Sequence, residues 1–386
     1  AWVNSSGDAI ATTLEATTLT PDDGGLRKVP ATVLRAVQAL TTASPVLTTQ
    51  STGGDWGAWR GPSFTAGTVW PSTVSSFTPM TVATTTSVVS LYREPNGTFA
   101  NAAPLGTLTP LAGQRLPLVP PLEPAALAAG PNDAMALLLN GPRVFGQPLA
   151  IDYNGTTTPT VTPRSPVPLL DAPVRQRAPS VVWVDPERAF LVAWDEEQVD
   201  GGSSLMTSWL EPSGLTRGVP RVLLSSPVSE GVRPRLLRRP SGSAWGIQLR
   251  VTAALRAISS LVIDGGVVSL GSALPSPRGF GNAVLGDSID VQWGGATTGS
   301  IGFAGDEAMP RFSFANAPAP TCAAAAVGKL WFAGVESNSL KVVQVDDGPV
   351  ASSMLTTTNS FTGTVSGVCA LAASGGSEVF IAWRNN

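Results

Sequence analysis

The chain repeats one phrase: a short apolar stretch, a tight turn, then a second apolar run that carries Trp. It is clearest where Val181-Val182-Trp183-Val184 is followed by Asp185-Pro186-Glu187-Arg188 and then Ala189-Phe190-Leu191-Val192-Ala193-Trp194. It returns as Cys322 to Val327, Gly328-Lys329 and Leu330-Trp331-Phe332-Ala333-Gly334. A third copy runs from Cys369 to Ala373, through Ser374-Gly375-Gly376-Ser377, to Glu378-Val379-Phe380-Ile381-Ala382-Trp383. Units of roughly 40 to 50 residues that cannot bury their own apolar faces must stack on copies of themselves. The runs lack strict alternation of apolar and polar residues, as strands do when both faces are covered.

Four strands fit each unit. In the best-formed one they are Ser180 to Val184, Phe190 to Trp194, Ser204 to Leu210 and Pro220 to Leu224. The supply of turn residues, 40 Gly and 34 Pro, suits many short strands and argues against a helical bundle. The N-terminal half scans more faintly. Gly53 to Trp59 reads as a second strand, Ser87 to Tyr92 as a first strand, and Asp133 to Leu139 as part of a third unit. Proline-dense stretches at Leu116 to Pro124 and Pro159 to Pro173 fall where outer edge strands are expected, since an edge needs no ladder donor. The ends complement each other. Val368 to Ala373 and Glu378 to Trp383 supply two strands, and Ala9 to Leu14 with a segment near Lys28 to Leu34 supply two more. The expectation is an all-β fold over residues 1–386. It is a single closed β-propeller of about eight four-stranded blades, with seven as the alternative, whose closing blade is shared by both termini.

Composition removes whole classes of chemistry. Histidine is absent, which excludes Ser-His-Asp and Cys-His catalysis and imidazole metal sites. Lysine occurs only at Lys28, Lys329 and Lys341, and the net charge is -3, so nothing draws the chain to nucleic acid or an anionic membrane. No run of about 18 apolar residues is present, so no membrane span is expected. The opening Ala1-Trp2 carries no signal peptide and reads as a processed chain or a fragment. The Thr/Ser-rich, Lys-poor composition points to an extracellular, cell-surface or periplasmic location.

Few residues remain to carry function. Cys322 and Cys369, the only cysteines, hold equivalent places in consecutive units, and a disulfide between them is expected; two packed free thiols are the alternative. Asn4, Asn96 and Asn154 begin N-glycosylation sequons, although Asn-Gly also favours hairpin turns. Trp194, Asp195, Glu196, Glu197 and Asp200 form the most acidic stretch, which reads as a solvated acidic turn, with a binding loop whose oxygens hold Ca²⁺ as the alternative. No cofactor is otherwise implied. Arg233, Arg235, Arg238 and Arg239 make a basic counterpart, facing a carboxylate or an anionic ligand. Trp59, Trp194, Trp293, Trp383 and Trp2 read as packing between blades, with sugar stacking as the alternative.

The runs Ala189 to Asp195 and Val379 to Trp383 resemble the repeat of secreted bacterial β-propeller proteins, in which an apolar run ending in Trp marks the second strand. The resemblance covers the chain from Pro179 onward. It implies a fold and no catalytic residues. The expected function is that of a non-enzymatic protein-interaction or structural subunit of a surface or extracellular assembly, bound to other subunits or to itself. A lectin-like propeller that binds glycans is the alternative, and a glycosidase using paired carboxylates comes third.

Overall fold

In the computed structural model every regular element among the described residues is a β-strand. The structure describes residues 77–271, apart from 118–121, 171–173, 227–230, 239–244 and 251–255, and outside that span the strands named below. The N-terminal strands are β1 (Ala9–Glu15) and β2 (Arg27–Val29). Sheet B holds β3 (Leu34–Leu40), β4 (Val46–Ser51), β5 (Trp56–Arg60) and β6 (Thr68–Trp70). Sheet C holds β7 (Met80–Ala83), β8 (Ser87–Glu94), β9 (Gly97–Pro104) and β10 (Gln114–Arg115). Sheet D holds β11 (Glu123–Ala129), β12 (Asp133–Asn140), β13 (Arg143–Asp152) and β14 (Thr160–Pro163), and β15 (Val167–Pro168) also pairs with β13. Sheet E holds β16 (Gln176–Val184), β17 (Ala189–Glu197), β18 (Ser203–Leu210) and β19 (Thr216–Ser226). Sheet F holds β20 (Arg235–Arg238), β21 (Trp245–Arg250), β22 (Arg256–Asp264) and β23 (Val267–Leu270). Sheet G holds β24 (Asn282–Val284), β25 (Ile289–Gly294), β26 (Thr298–Phe303) and β27 (Phe312–Ala315). Sheet H holds β28 (Pro320–Ala326), β29 (Lys329–Glu336), β30 (Ser339–Asp346) and β31 (Met354–Thr356). Sheet A closes the set: β32 (Val365–Ser374) pairs with β33 (Glu378–Asn385), which pairs with β1, which pairs with β2.

The sheet shared by both ends is thus present, with Ala9 to Glu15 zipped antiparallel onto Glu378 to Arg384. Eight sheets form among the described residues, each an antiparallel meander of the kind that makes a propeller blade. Three sequence readings shift. Trp59 lies on β5, the third strand of its sheet, because Val46–Ser51 takes the second place. Ser87 to Tyr92 belongs to a second strand, since Met80–Ala83 precedes it. Leu34 begins the first strand of sheet B and does not end the closing sheet. Trp2 and Arg239 lie outside the described residues.

The chain divides into two units. One comprises residues 1–78, 283–303 and 308–386, and in it β32 lies beside both β28 and β3. The other comprises 79–282 and 304–307 and carries sheets C to F. Within this second unit the first strands β7, β11, β16 and β20 lie side by side in chain order.

Three apolar seams hold the second unit. Val89, Leu91 and Ala102 of sheet C meet Ala134, Leu138 and Leu149 of sheet D. Met135, Leu137 and Val144 of sheet D meet Phe190, Val192, Trp194 and Leu210 of sheet E. Ala189, Leu191, Ala193 and Leu205 of sheet E meet Leu236, Ile247, Leu249 and Leu261 of sheet F. Strand β17 therefore sends alternate side chains into two different seams, as the two-residue period of a strand requires. Bulk goes one way and small residues largely the other. Close approach on the bulky side is met by glycine: a Cβ on Gly146 would lie 2.4 Å from Leu210 Cδ1, and one on Gly130 would lie 3.0 Å from the Trp183 ring. Trp183 stands edge-on to Phe190 with ring centroids 4.9 Å apart. Removing the Phe190 ring should cost about 3–5 kcal/mol. Urea unfolding of Phe190→Ala is the measurement; a loss below about 1 kcal/mol would mean that this seam is not tightly packed.

Candidate functional site

Strand β17 does not stop at Trp194. Its register continues, pairing Asp195 with Arg177, Glu196 with Gln176, and Glu197 with Ser203 of β18. The acidic stretch expected as a loop is therefore strand as far as Glu197, and only Asp200 lies in the exposed turn. Trp194 is fully buried and offers no ring face. On β16 a register shift between Arg177 and Ser180, with Ala178 at φ 43°, keeps Arg177 opposite Asp195 while the rest of the strand enters the core.

Asp195 is completely buried. Its Oδ2 accepts from Arg177 Nε at 3.1 Å, and Arg177 Nη2 is 3.1 Å from the same oxygen. The guanidinium also reaches Glu197 Oε2, with Nη1 3.7 Å away. A Cβ on Gly231 would sit 1.7 Å from Asp195 Oδ2, so the carboxylate lies directly against the backbone leading into sheet F. Gly231 has φ 85° and Arg233 φ 40°, so that backbone is bent twice around the carboxylate. Burial pushes the Asp195 carboxyl above the ordinary carboxylate range, against the pull of the Arg177 guanidinium, the Ser203 hydroxyl and the Val232 amide. On the opposite face of the strand, burial raises the Glu196 carboxyl, and the Trp194 indole lowers it only in part.

Arg177 lies against both Asp195 and Glu197. Among the described residues no group of three or more acidic or thiol side chains is placed to hold a metal.

The far end of the same sheet is pinned differently. Glu187, in the β16–β17 turn, accepts from Arg217 Nη1 at 3.1 Å and, through Oε1, from the Gly266 amide of sheet F at 3.1 Å. Trp209 Nε1 donates to the Gly266 carbonyl at 2.7 Å. These contacts tie sheets E and F at the side opposite Asp195. No sequence pattern linked Glu187 or Gly266 to each other.

Of the sequons, Asn96 is exposed in the two-residue turn Pro95-Asn96 that joins Glu94 to Gly97. Asn154 is exposed at φ 44°. Asn4 lies outside the described residues. Cys322 is buried on β28, beside the strand that carries Cys369. Arg233 is exposed and Arg235 half-buried. No helix among the described residues is long and apolar enough to cross a membrane.

No protein-family model matches the chain, and no curated protein matches its sequence. Solved structures do match. TolB from Acinetobacter baumannii aligns with 98% of this chain and 65% of its own, at 10% identity and TM-score 0.39, so this chain spans under two thirds of that protein. The dihydro-heme d1 dehydrogenase NirN, in complex with DHE, aligns with 91% of this chain and 74% of its own, at 11% identity and TM-score 0.51. The Dos1 propeller aligns with 91% of this chain and 95% of its own, at 9% identity and TM-score 0.50. This last likeness, with the eight sheets, shows an all-β propeller fold. Such likeness reaches the fold alone.

Gly231 should be the least replaceable residue of the Asp195 cluster. Gly231→Ala adds a clash with the carboxylate to an unfavourable φ, at a combined cost of at least about 2 kcal/mol. Gly218→Ala is the control: φ is similar at 79° but nothing lies within 4 Å, so only the backbone cost of about 1–2 kcal/mol applies. Equal losses in urea unfolding would show that Asp195 does not press on Gly231.

Proposed function

We propose that this protein is a non-enzymatic, extracytoplasmic propeller that serves as an interaction or structural subunit of a surface or extracellular assembly, akin to secreted bacterial propeller repeats. The observation that carries the reading is where apolar surface stays uncovered. Six of the seven large hydrophobic side chains exposed among the described residues belong to sheets E and F or their turns: Val219, Val222, Val262 and Val267 on strands, and Val199 and Leu215 in turns of sheet E. Outer strand β19 is 11 residues long, against two to four for the outer strands of the other sheets. A long outer strand bearing Val219 at 80% exposure and Val222 at 56% is surface that a lone soluble protein tends to avoid.

The rival readings find less support. Of the Trp rings among the described residues, Trp70, Trp194 and Trp331 are fully buried and Trp183 and Trp209 nearly so, which leaves none of these five a face to stack on a sugar. Asp195, one of the two carboxyls with raised affinity for protons at the end of β17, is completely buried and out of reach of a glycosidic bond. Size-exclusion chromatography with light scattering tests the proposal. The native protein should associate, and a Val219→Asp, Val222→Asp variant should weaken association at least about tenfold, or about 1.4 kcal/mol. A strict monomer that binds glycans would reverse the order of the readings.

The location is tied to Cys322 and Cys369, which this reading joins in a disulfide. In support, Cys322 is buried beside the strand of Cys369, and no described cysteine is a free thiol. The closed loop would hold about 50 residues and contribute about 4 kcal/mol by the chain-entropy relation. Reduction should therefore lower the unfolding temperature. Two alkylated cysteines in a non-reduced digest of native protein would end the idea.

A further inference from the structure

Asn-Gly occurs three times in this chain, at Asn96-Gly97, Asn140-Gly141 and Asn154-Gly155, and the fold holds the three differently. Gly97 closes a ladder of sheet C opposite Glu94 and is buried under Arg115, whose Nε would lie 2.9 Å from a Cβ there. Asn140 closes a ladder of sheet D opposite Arg143. The turn beyond it is held from sheet E, where the Gln176 amide donates to the Pro142 carbonyl at 2.7 Å.

Asn154-Gly155 belongs to no ladder. It sits in the connection between β13 and β14, with both residues exposed. Asn154 at φ 44° and Gly155 at φ 74° form the centre of a turn closed by the Thr156 amide, which donates to the Tyr153 carbonyl at 2.6 Å. That bond spans the peptide between Asn154 and Gly155 without using it. Neither the Asn154 carbonyl nor the Gly155 amide is hydrogen-bonded among the described residues. Nothing lies within 4 Å of where a Cβ on Gly155 would stand, and glycine tolerates either sign of φ. This peptide can therefore rotate while its neighbours stay in place. The Asn154 side chain is barely held, its Nδ2 donating only to Thr160 Oγ1 at 3.5 Å.

We propose that Asn154 is a site of spontaneous covalent modification, converting to aspartate and isoaspartate through a succinimide while the fold protects Asn96 and Asn140. The Gly155 nitrogen attacks Asn154 Cγ, and a C–N bond forms. The Cγ–Nδ2 bond breaks, and Nδ2 leaves as ammonia with the proton of the Gly155 amide. Solvent water then opens the ring. Opening at Cγ gives aspartate, and opening at the Asn154 carbonyl carbon gives isoaspartate, in which the main chain runs through Cγ. The change reaches beyond the turn. The hydroxyl of neighbouring Tyr153 donates to the Thr86 carbonyl at 3.1 Å and lies 2.8 Å from Ser87 Oγ, which ties sheet D to sheet C. Isoaspartate adds a methylene to the chain beside this tie. Both products place a negative charge close to exposed Asp152 and remove the acceptor amide of the sequon.

Tryptic peptides separate the three sites, since 94–115, 116–143 and 144–164 each hold one Asn-Gly pair. The folded protein is kept at physiological temperature and pH for weeks, with the same chain in denaturant as control. By mass spectrometry, 144–164 should gain acid several-fold faster than the other two in the folded protein, as two isomers that chromatography resolves. In denaturant the three rates should converge. Asn154→Gln, whose longer side chain would have to close a larger ring, should abolish the gain in 144–164. Equal rates in the folded chain, an earlier change in 94–115 or 116–143, or a gain that survives Asn154→Gln overturns the proposal.

Discussion

Burial of one strand on two faces is the constraint on which the second unit depends. Sheet E has no interior of its own. Its apolar residues are covered only because sheet D lies on one side and sheet F on the other, and β17 divides its side chains between them. Each fully buried Leu, Val or Phe contributes about 1.5–3 kcal/mol, so neither seam alone can offset the cost of ordering the sheet. A sheet with one neighbour would leave half of this gain in water. This is why the chain repeats its phrase: a unit with two apolar faces needs another like it on each side.

The same constraint explains what the sequence disclosed. A strand buried on both faces reads as an unbroken apolar run, so Ala189 to Trp194 stands out, and the turn at Asp185 to Arg188 marks where the chain reverses from β16 into β17. The terminal pairing was readable because Ala9 to Leu14 and Glu378 to Trp383 are each half of a familiar unit. Where the run is diluted, place was lost. Trp59 and Ser87 to Tyr92 were each shifted by one strand, because the neighbouring strands Val46–Ser51 and Met80–Ala83 are rich in Thr or short. Asp195 to Glu197 misled for a physical reason. Charge normally signals the end of a strand, but here the ladder goes on because Arg177 lies opposite Asp195 across it. The contact with Gly231, 36 residues along the chain from Asp195, left no mark in local pattern.

Polar contacts at the two ends of sheet E differ in character. Glu187 is partly exposed and spends its oxygens on donors from two sheets, an arrangement that satisfies every partner. Asp195 is wholly enclosed and is held by Arg177 from the neighbouring strand. The first resembles ordinary stabilisation at a rim. The second costs desolvation that its pairing with Arg177 offsets in part.

The alternation along β17 also gives each position an address. Even-numbered residues from Phe190 to Trp194 belong to the boundary with sheet D, and odd-numbered residues from Ala189 to Ala193 to the boundary with sheet F. A substitution at one parity alters one boundary and leaves the other composed as before. Along this strand, residues adjacent in sequence pack against different sheets, while residues two apart pack against the same one.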